Sequence, residues 1–97
     1  GIYLQTVSGA DARAIYEGEV TWCAPMNGNY AVIVQHGNYR SVYSPLKKIY
    51  GKQGDKLTAK QAIGEIYTNT SEDNKTELYF QIYKDRSILN PGLWLAQ

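Results

Sequence analysis

One histidine, one cysteine, one methionine and one phenylalanine are all that this chain of 97 residues holds of those four types. Each scarcity excludes something. A lone Cys23 cannot close an internal disulfide or build a metal site by itself, and in VTWCAP it reads as a small apolar residue turned inward. A lone His36 cannot supply the imidazole-rich ligand set of a zinc hydrolase, which takes about three protein ligands and leaves one position to water. Beside the hairpin signal Gly37-Asn38, its ring is expected to bond to the turn instead. Net charge is scarce too. A formal +1 with a pI near 8.0 makes no field that would draw nucleic acid or an acidic membrane surface. No run is long and apolar enough to span a bilayer, so no membrane insertion of this stretch is expected.

Several chemical signatures are missing as well. No serine stands in a nucleophile elbow, and Gly51-Lys52-Gln53-Gly54 lacks the Lys-Ser or Lys-Thr of a phosphate loop. The acids and amides of residues 69–75 fit no calcium-loop spacing and read as a solvated turn. No lysine near Gly51 carries the flanking pattern of a lipoyl or biotinyl carrier.

What is abundant is tyrosine, nine residues against the single phenylalanine. Tyrosine suits strands, and it suits contact surfaces, because it offers large area and a hydroxyl at low entropic cost. Strand and turn signals dominate the chain. Residues 19–23 form a short strand ended by Ala24-Pro25, and residues 26–29 turn the chain back into a β-branched strand, 30–36. After Gly37-Asn38 the return strand, 39–44, stops at Pro45. A strand over 62–67, a polar loop over 69–75 and a strand over 76–84 follow. Asn90-Pro91-Gly92 then turns into Leu93-Trp94-Leu95, which should dock on the body. Only 57–62 (LTAKQA) has any helical character. This pattern predicts one all-β domain over residues 1–97, a small antiparallel sheet of sandwich or barrel type, with no repeat or linker.

In the strand TELYFQIY, Leu78, Phe80 and Ile82 point one way, while Glu77, Tyr79, Gln81 and Tyr83 point the other. Two tyrosines thus stand on a face that simple alternation assigns to solvent.

Longer-range order adds a family. Gly9, Gly18, His36-Gly37, Tyr43, Leu46, Gly54-Asp55, Gln61, Ile63-Gly64, Phe80, Asn90-Pro91 and Trp94 keep the order and spacing of a known frame along nearly the whole chain. In that frame the chain resembles the M23 (LytM-type) peptidase domain, a zinc endopeptidase of peptidoglycan with a barrel-sandwich hybrid sheet and a groove across it. The resemblance also locates where the chemistry departs. The family's aspartate ligand falls at Tyr3, and the histidine of its Tyr-x-His-Leu segment falls at Pro45. Its His-x-His pair falls at Glu77 and Tyr79, and its first histidine ligand would precede Gly1. A phenol must lose a proton of pKa about 10 before it binds zinc, and proline has no proton to exchange. The expectation is a degenerate domain without zinc, other cofactor or hydrolysis.

Within the family the chain is most similar to the degenerate domain of murein hydrolase activators of the EnvC type. That similarity implies a C-terminal fragment of a longer protein in the periplasm or cell envelope of a Gram-negative bacterium. Its partner would be a zinc-dependent N-acetylmuramoyl-L-alanine amidase, taken up as a helix in the vestigial groove and thereby activated. Tyr3, Tyr43, Tyr79 and Tyr83 are the candidate anchors, with Arg40 and Glu77 as rim contacts. A wall-binding module using the same groove for peptidoglycan stays open, as does an M23 endopeptidase with an atypical site.

Overall fold

The computed structural model describes residues 2–84 and 87–89, so Gly1 and the segment holding Asn90, Pro91, Leu93 and Trp94 lie outside the described residues. Among the described residues ten strands follow one another: β1 (Ile2–Thr6), β2 (Asp11–Arg13), β3 (Gly18–Met26), β4 (Asn29–His36), β5 (Tyr39–Ile49), β6 (Lys56–Leu57), β7 (Ala62–Ile66), β8 (Thr68–Asn69), β9 (Lys75–Lys84) and β10 (Ser87–Leu89). All described pairings are antiparallel, and the main path runs β1-β9-β5-β4-β3-β6. Strand β7 continues from the far end of β5 and carries β2 on its other edge. The expected all-β fold is therefore present as an open antiparallel sheet.

Local chemistry explains the hairpins. Asn27 and Gly28 both take positive φ, 52° and 84°, which is the two-residue turn that matches strand twist between β3 and β4. Gly37 alone takes positive φ, 63°, at the β4–β5 turn. The longer connection before β9 is a 3-10 turn over Thr70–Glu72, whose Asn69 side chain accepts from the Ser71 N–H at 3.0 Å.

Neither Pro25 nor Pro45 ends its strand. Pro25 lies inside β3 where, among the described residues, β3 pairs with β4 alone, so the missing N–H falls on an edge. Pro45 lies inside β5 where that strand changes partners. Ser44 is the last residue paired with β9 (to Tyr79), and Leu46 is the first paired with β7 (to Ile66). The absent donor thus coincides with a gap in the ladder, while the Pro45 carbonyl accepts from the Tyr67 N–H at 3.1 Å. The helical character of 57–62 does not materialise: Leu57 closes β6, Lys60 takes positive φ in a turn, and β7 begins at Ala62.

One face of this sheet is the core. Val20, Val32, Val34, Tyr43, Leu46, Ile63, Ile66, Leu78, Phe80 and Ile82 are all buried there. Leu78, Phe80 and Ile82 alternate with half-buried Glu77, Tyr79, Gln81 and Tyr83, as the strand's parity requires. That alternation is what leaves a second, half-open face.

Candidate functional site

Register alone assembles the second face row by row, because directly paired residues point the same way. Tyr3 of β1 pairs with Tyr79 of β9, and Tyr79 pairs with Ser44 of β5. The two phenol rings lie 4.6 Å apart between centroids, tilted by 31°. Tyr3 is 65% exposed and Tyr79 half-buried, so Tyr3 lies over Tyr79 and shields it from one side. The next row is Trp22, Ile33, Val42 and Gln81, across β3, β4, β5 and β9. Beyond it comes a polar row of Glu19, Gln35, Arg40 and Tyr83.

A concavity of about 220 Å³ opens at one end of this face, lined by Tyr3, Pro45, Tyr67, Asn69, Glu72, Lys75 and Glu77. Three of the sequence-predicted positions, Tyr3, Pro45 and Glu77, therefore meet in one hollow, with Tyr79 behind Tyr3. Glu77 is steadied at the rim by the Lys75 ammonium at 3.9 Å, an ion pair open to water. Arg40 and Tyr83 share the face but not the hollow. They stand four residues along the strands from the Tyr79 row, about 13 Å away at ~3.3 Å per residue.

Tyr43 is not a contact residue. It is 1% exposed and stacks on Phe80 within the core, with ring centroids 5.4 Å apart. Its hydroxyl lies 2.9 Å from Ser41 Oγ and accepts from the Ile15 N–H at 3.2 Å. Burial pushes the phenol above its ordinary pKa, an effect opposed by those two hydrogen bonds. The physical reason is parity: Tyr43 lies opposite Phe80 on the inward face, and Ser44, its neighbour, takes the outward place opposite Tyr79. His36 does not bond to its turn either. Its Nδ1 reaches the Glu17 carbonyl at 2.8 Å and its Nε2 reaches Ser41 Oγ at 2.7 Å.

Trp22 and Tyr67 were not among the sequence-predicted residues. Trp22 is 43% exposed because β3 bulges between Val20 and Trp22 and turns the indole away from the core side that simple alternation assigns it. No residue type at 20–22 announces that bulge. Tyr67 was assigned to a strand, whereas β7 ends at Ile66 and Tyr67 turns to line the hollow.

Residues 1–91 match peptidase family M23, and the chain belongs to that family. An uncharacterised protein of Haemophilus influenzae is 32% identical over 97 residues, which is 98% of this chain and 23% of that protein. The chain thus spans about a quarter of that relative's length. Among solved structures, lysostaphin superposes with a TM-score of 0.85 at 25% identity, covering 99% of this chain and 42% of that one. The chain solved in the SpoIIQ–SpoIIIAH pore-forming complex matches with a TM-score of 0.70 at 32% identity, covering 81% of this chain and 52% of that one.

Zinc does not fit the side chains present. The aspartate and second histidine positions implied by the family frame are the stacked Tyr3 and Tyr79, and a phenol is a poor ligand for zinc beside an imidazole or a carboxylate. The hollow holds two carboxylates, Glu72 and Glu77, and no imidazole, since the one histidine is committed elsewhere. Among the described residues no three His, Cys, Asp or Glu side chains come together as a metal site. What the arrangement offers is an aromatic lip over a hollow with a charged rim.

Proposed function

We propose that this domain is a non-catalytic M23 domain that binds a protein partner in the hollow at Tyr3, Pro45, Tyr67 and Glu77. The partner is a zinc-dependent N-acetylmuramoyl-L-alanine amidase of the cell envelope of a Gram-negative bacterium. A helix of the amidase lies against the tyrosines, and its binding switches the enzyme on. The observation that carries this reading is the Tyr3–Tyr79 stack. Two aromatic rings stand where the family frame implies metal ligands, and exposed aromatic area of that kind suits a desolvated protein contact. That the SpoIIQ chain is found in a complex with another protein supports a binding role for M23 domains of this kind. The polar rim of Asn69, Glu72 and Lys75 favours a second reading, in which the hollow holds peptidoglycan peptide stems.

Dye release from labelled sacculi separates the two. The domain alone is expected to release nothing, and a cognate amidase with the domain to release far more than the amidase alone. If the amidase rate does not change while the domain sediments with sacculi, the wall-binding reading replaces the first. Release by the domain alone, abolished by a chelator, would overturn both.

A further inference from the structure

The hollow beside the Tyr3–Tyr79 stack is too small for a helix and short of one positive charge. Its volume, about 220 Å³, suits a single long side chain, whereas a helix body is about 10 Å across. Two carboxylates line it, Glu72 and Glu77, against one ammonium, Lys75. The Glu77 side chain is only 25% exposed, yet its one polar partner among the described residues is that ammonium, at 3.9 Å. Such a separation exceeds hydrogen-bond reach. Gln5, opposite Glu77 on β1, is uncharged. Glu72 is exposed and has no ion pair among the described residues.

The walls narrow the choice of occupant. Tyr3 is exposed, and Tyr67 is held against Pro45 by the bond from its N–H to the Pro45 carbonyl. An anion would meet two carboxylates there. An apolar side chain would cover Glu77 and leave its charge unanswered, which is costly. A hard divalent ion takes six or more oxygens, and Asn69 Oδ1 already accepts from the Ser71 N–H at 3.0 Å. A guanidinium meets every condition. It lies flat on a phenol ring and offers paired N–H donors to a carboxylate at its edge.

We propose that the hollow receives one arginine side chain of the partner, its guanidinium set against the Tyr3 and Tyr67 rings and the Glu72 and Glu77 carboxylates. This rests on the reading of the hollow as the partner's seat. The partner's helix stays outside, against the stacked tyrosines, and sends this one side chain in. Lys75, exposed and at the limit of ion-pair distance, gives way at little cost. The arginine also confers selectivity, because a partner without it covers Glu77 and leaves that carboxylate unpaired.

Blocked amino acids test the hollow without the amidase. N-acetyl-arginine amide, titrated into the whole chain, is expected to shift the Tyr3 and Tyr67 ring signals in NMR spectra, saturating in the roughly millimolar range. N-acetyl-citrulline amide, similar in shape but uncharged, should bind about tenfold more weakly, and N-acetyl-lysine amide more weakly than the arginine probe. The double substitution Glu72→Gln/Glu77→Gln, which keeps shape and removes charge, should erase the preference for arginine over citrulline. Equal binding of those two probes, or a lysine probe as tight as the arginine one, overturns the proposal.

A second arm uses the amidase itself. Its affinity, by calorimetric titration, is expected to fall at least about tenfold in Glu72→Gln/Glu77→Gln. Unchanged affinity in that variant sinks the arginine seat and leaves the partner reading standing. An amidase that binds neither form sinks the partner reading instead, and the blocked amino acids then decide the seat alone.

Discussion

Tyr3 and Tyr79 are direct cross-strand partners on β1 and β9, and their rings pack 4.6 Å apart at the mouth of the hollow. A tilted pair at that distance is worth about 0.5–1.5 kcal/mol beyond the area it covers. It also fixes two aromatic faces in advance, so a partner does not have to order them.

Tyr79→Ala is accordingly expected to lower fold stability by only about 1 kcal/mol, measured by urea unfolding. Its effect on partner affinity should be far larger, about thirtyfold by calorimetric titration with the amidase, as for a central aromatic anchor. Equal losses in the two measurements would make Tyr79 a core residue rather than a contact.

Phe80→Ala, one position along the same strand, should behave in the opposite sense. Phe80 is 1% exposed and stacked on Tyr43, so its truncation is expected to cost about 3–5 kcal/mol of stability. Any loss of partner binding should then follow the unfolded fraction and vanish under stabilising conditions.

Removing metal should do nothing. Purified from zinc-supplemented medium without chelator, the chain is expected to hold well under one zinc per molecule, and EDTA should leave the thermal midpoint where it was. One tightly held zinc per chain would contradict the donor set at Tyr3, Glu77 and Tyr79.

Gly64→Ala tests the junction that shapes the site. An added methyl would press on the Lys48 carbonyl oxygen and lie 3.3 Å from Leu46 Cδ1, where β5 and β7 pair just past Pro45. A loss of about 2 kcal/mol or more is expected in chemical denaturation, since carbonyl oxygen in a ladder has nowhere to move.

Two phenols should titrate late. The hydrogen bond that Tyr50 donates to Asp11 pushes its pKa up to about 12, and burial raises that of Tyr43. A folded-state value above the unfolded one near 10 gives stability that is complete below pH 10 and is lost as pH rises toward 12. Phenolate absorbance should show the folded chain's last tyrosines ionising above the rest. Tyr50→Phe should remove one late phenol and flatten the stability loss between pH 10 and 12.

How much of this was legible beforehand depends on the element. The alternation of Leu78, Phe80 and Ile82 with Glu77, Tyr79, Gln81 and Tyr83 needed only the two-residue period of a strand, and β9 follows it throughout. The Asn27-Gly28 turn was legible from the positive φ that those two residues tolerate. Pro25 and Pro45 misled, because a missing N–H ends a strand only where a partner needs it. Whether one does is a property of the neighbouring strands. Strands β1 and β2 carried too little local signal to be singled out, and they are strands because β9 and β7 offer them an edge.

For the site, the sequence by itself determined which side chains are available: one imidazole, two phenols where the family frame implies ligands, and a proline that cannot carry a proton. It determined too that β9 would turn its tyrosines away from the core. Tertiary structure decided which of them meet. It stacked Tyr3 on Tyr79, sank Tyr43 beneath the sheet, parted Arg40 and Tyr83 from the hollow, and used one bulge to bring Trp22 out. The reason is that a residue's chemistry is local, whereas register, bulges and partner exchange are set by strands far apart in the chain.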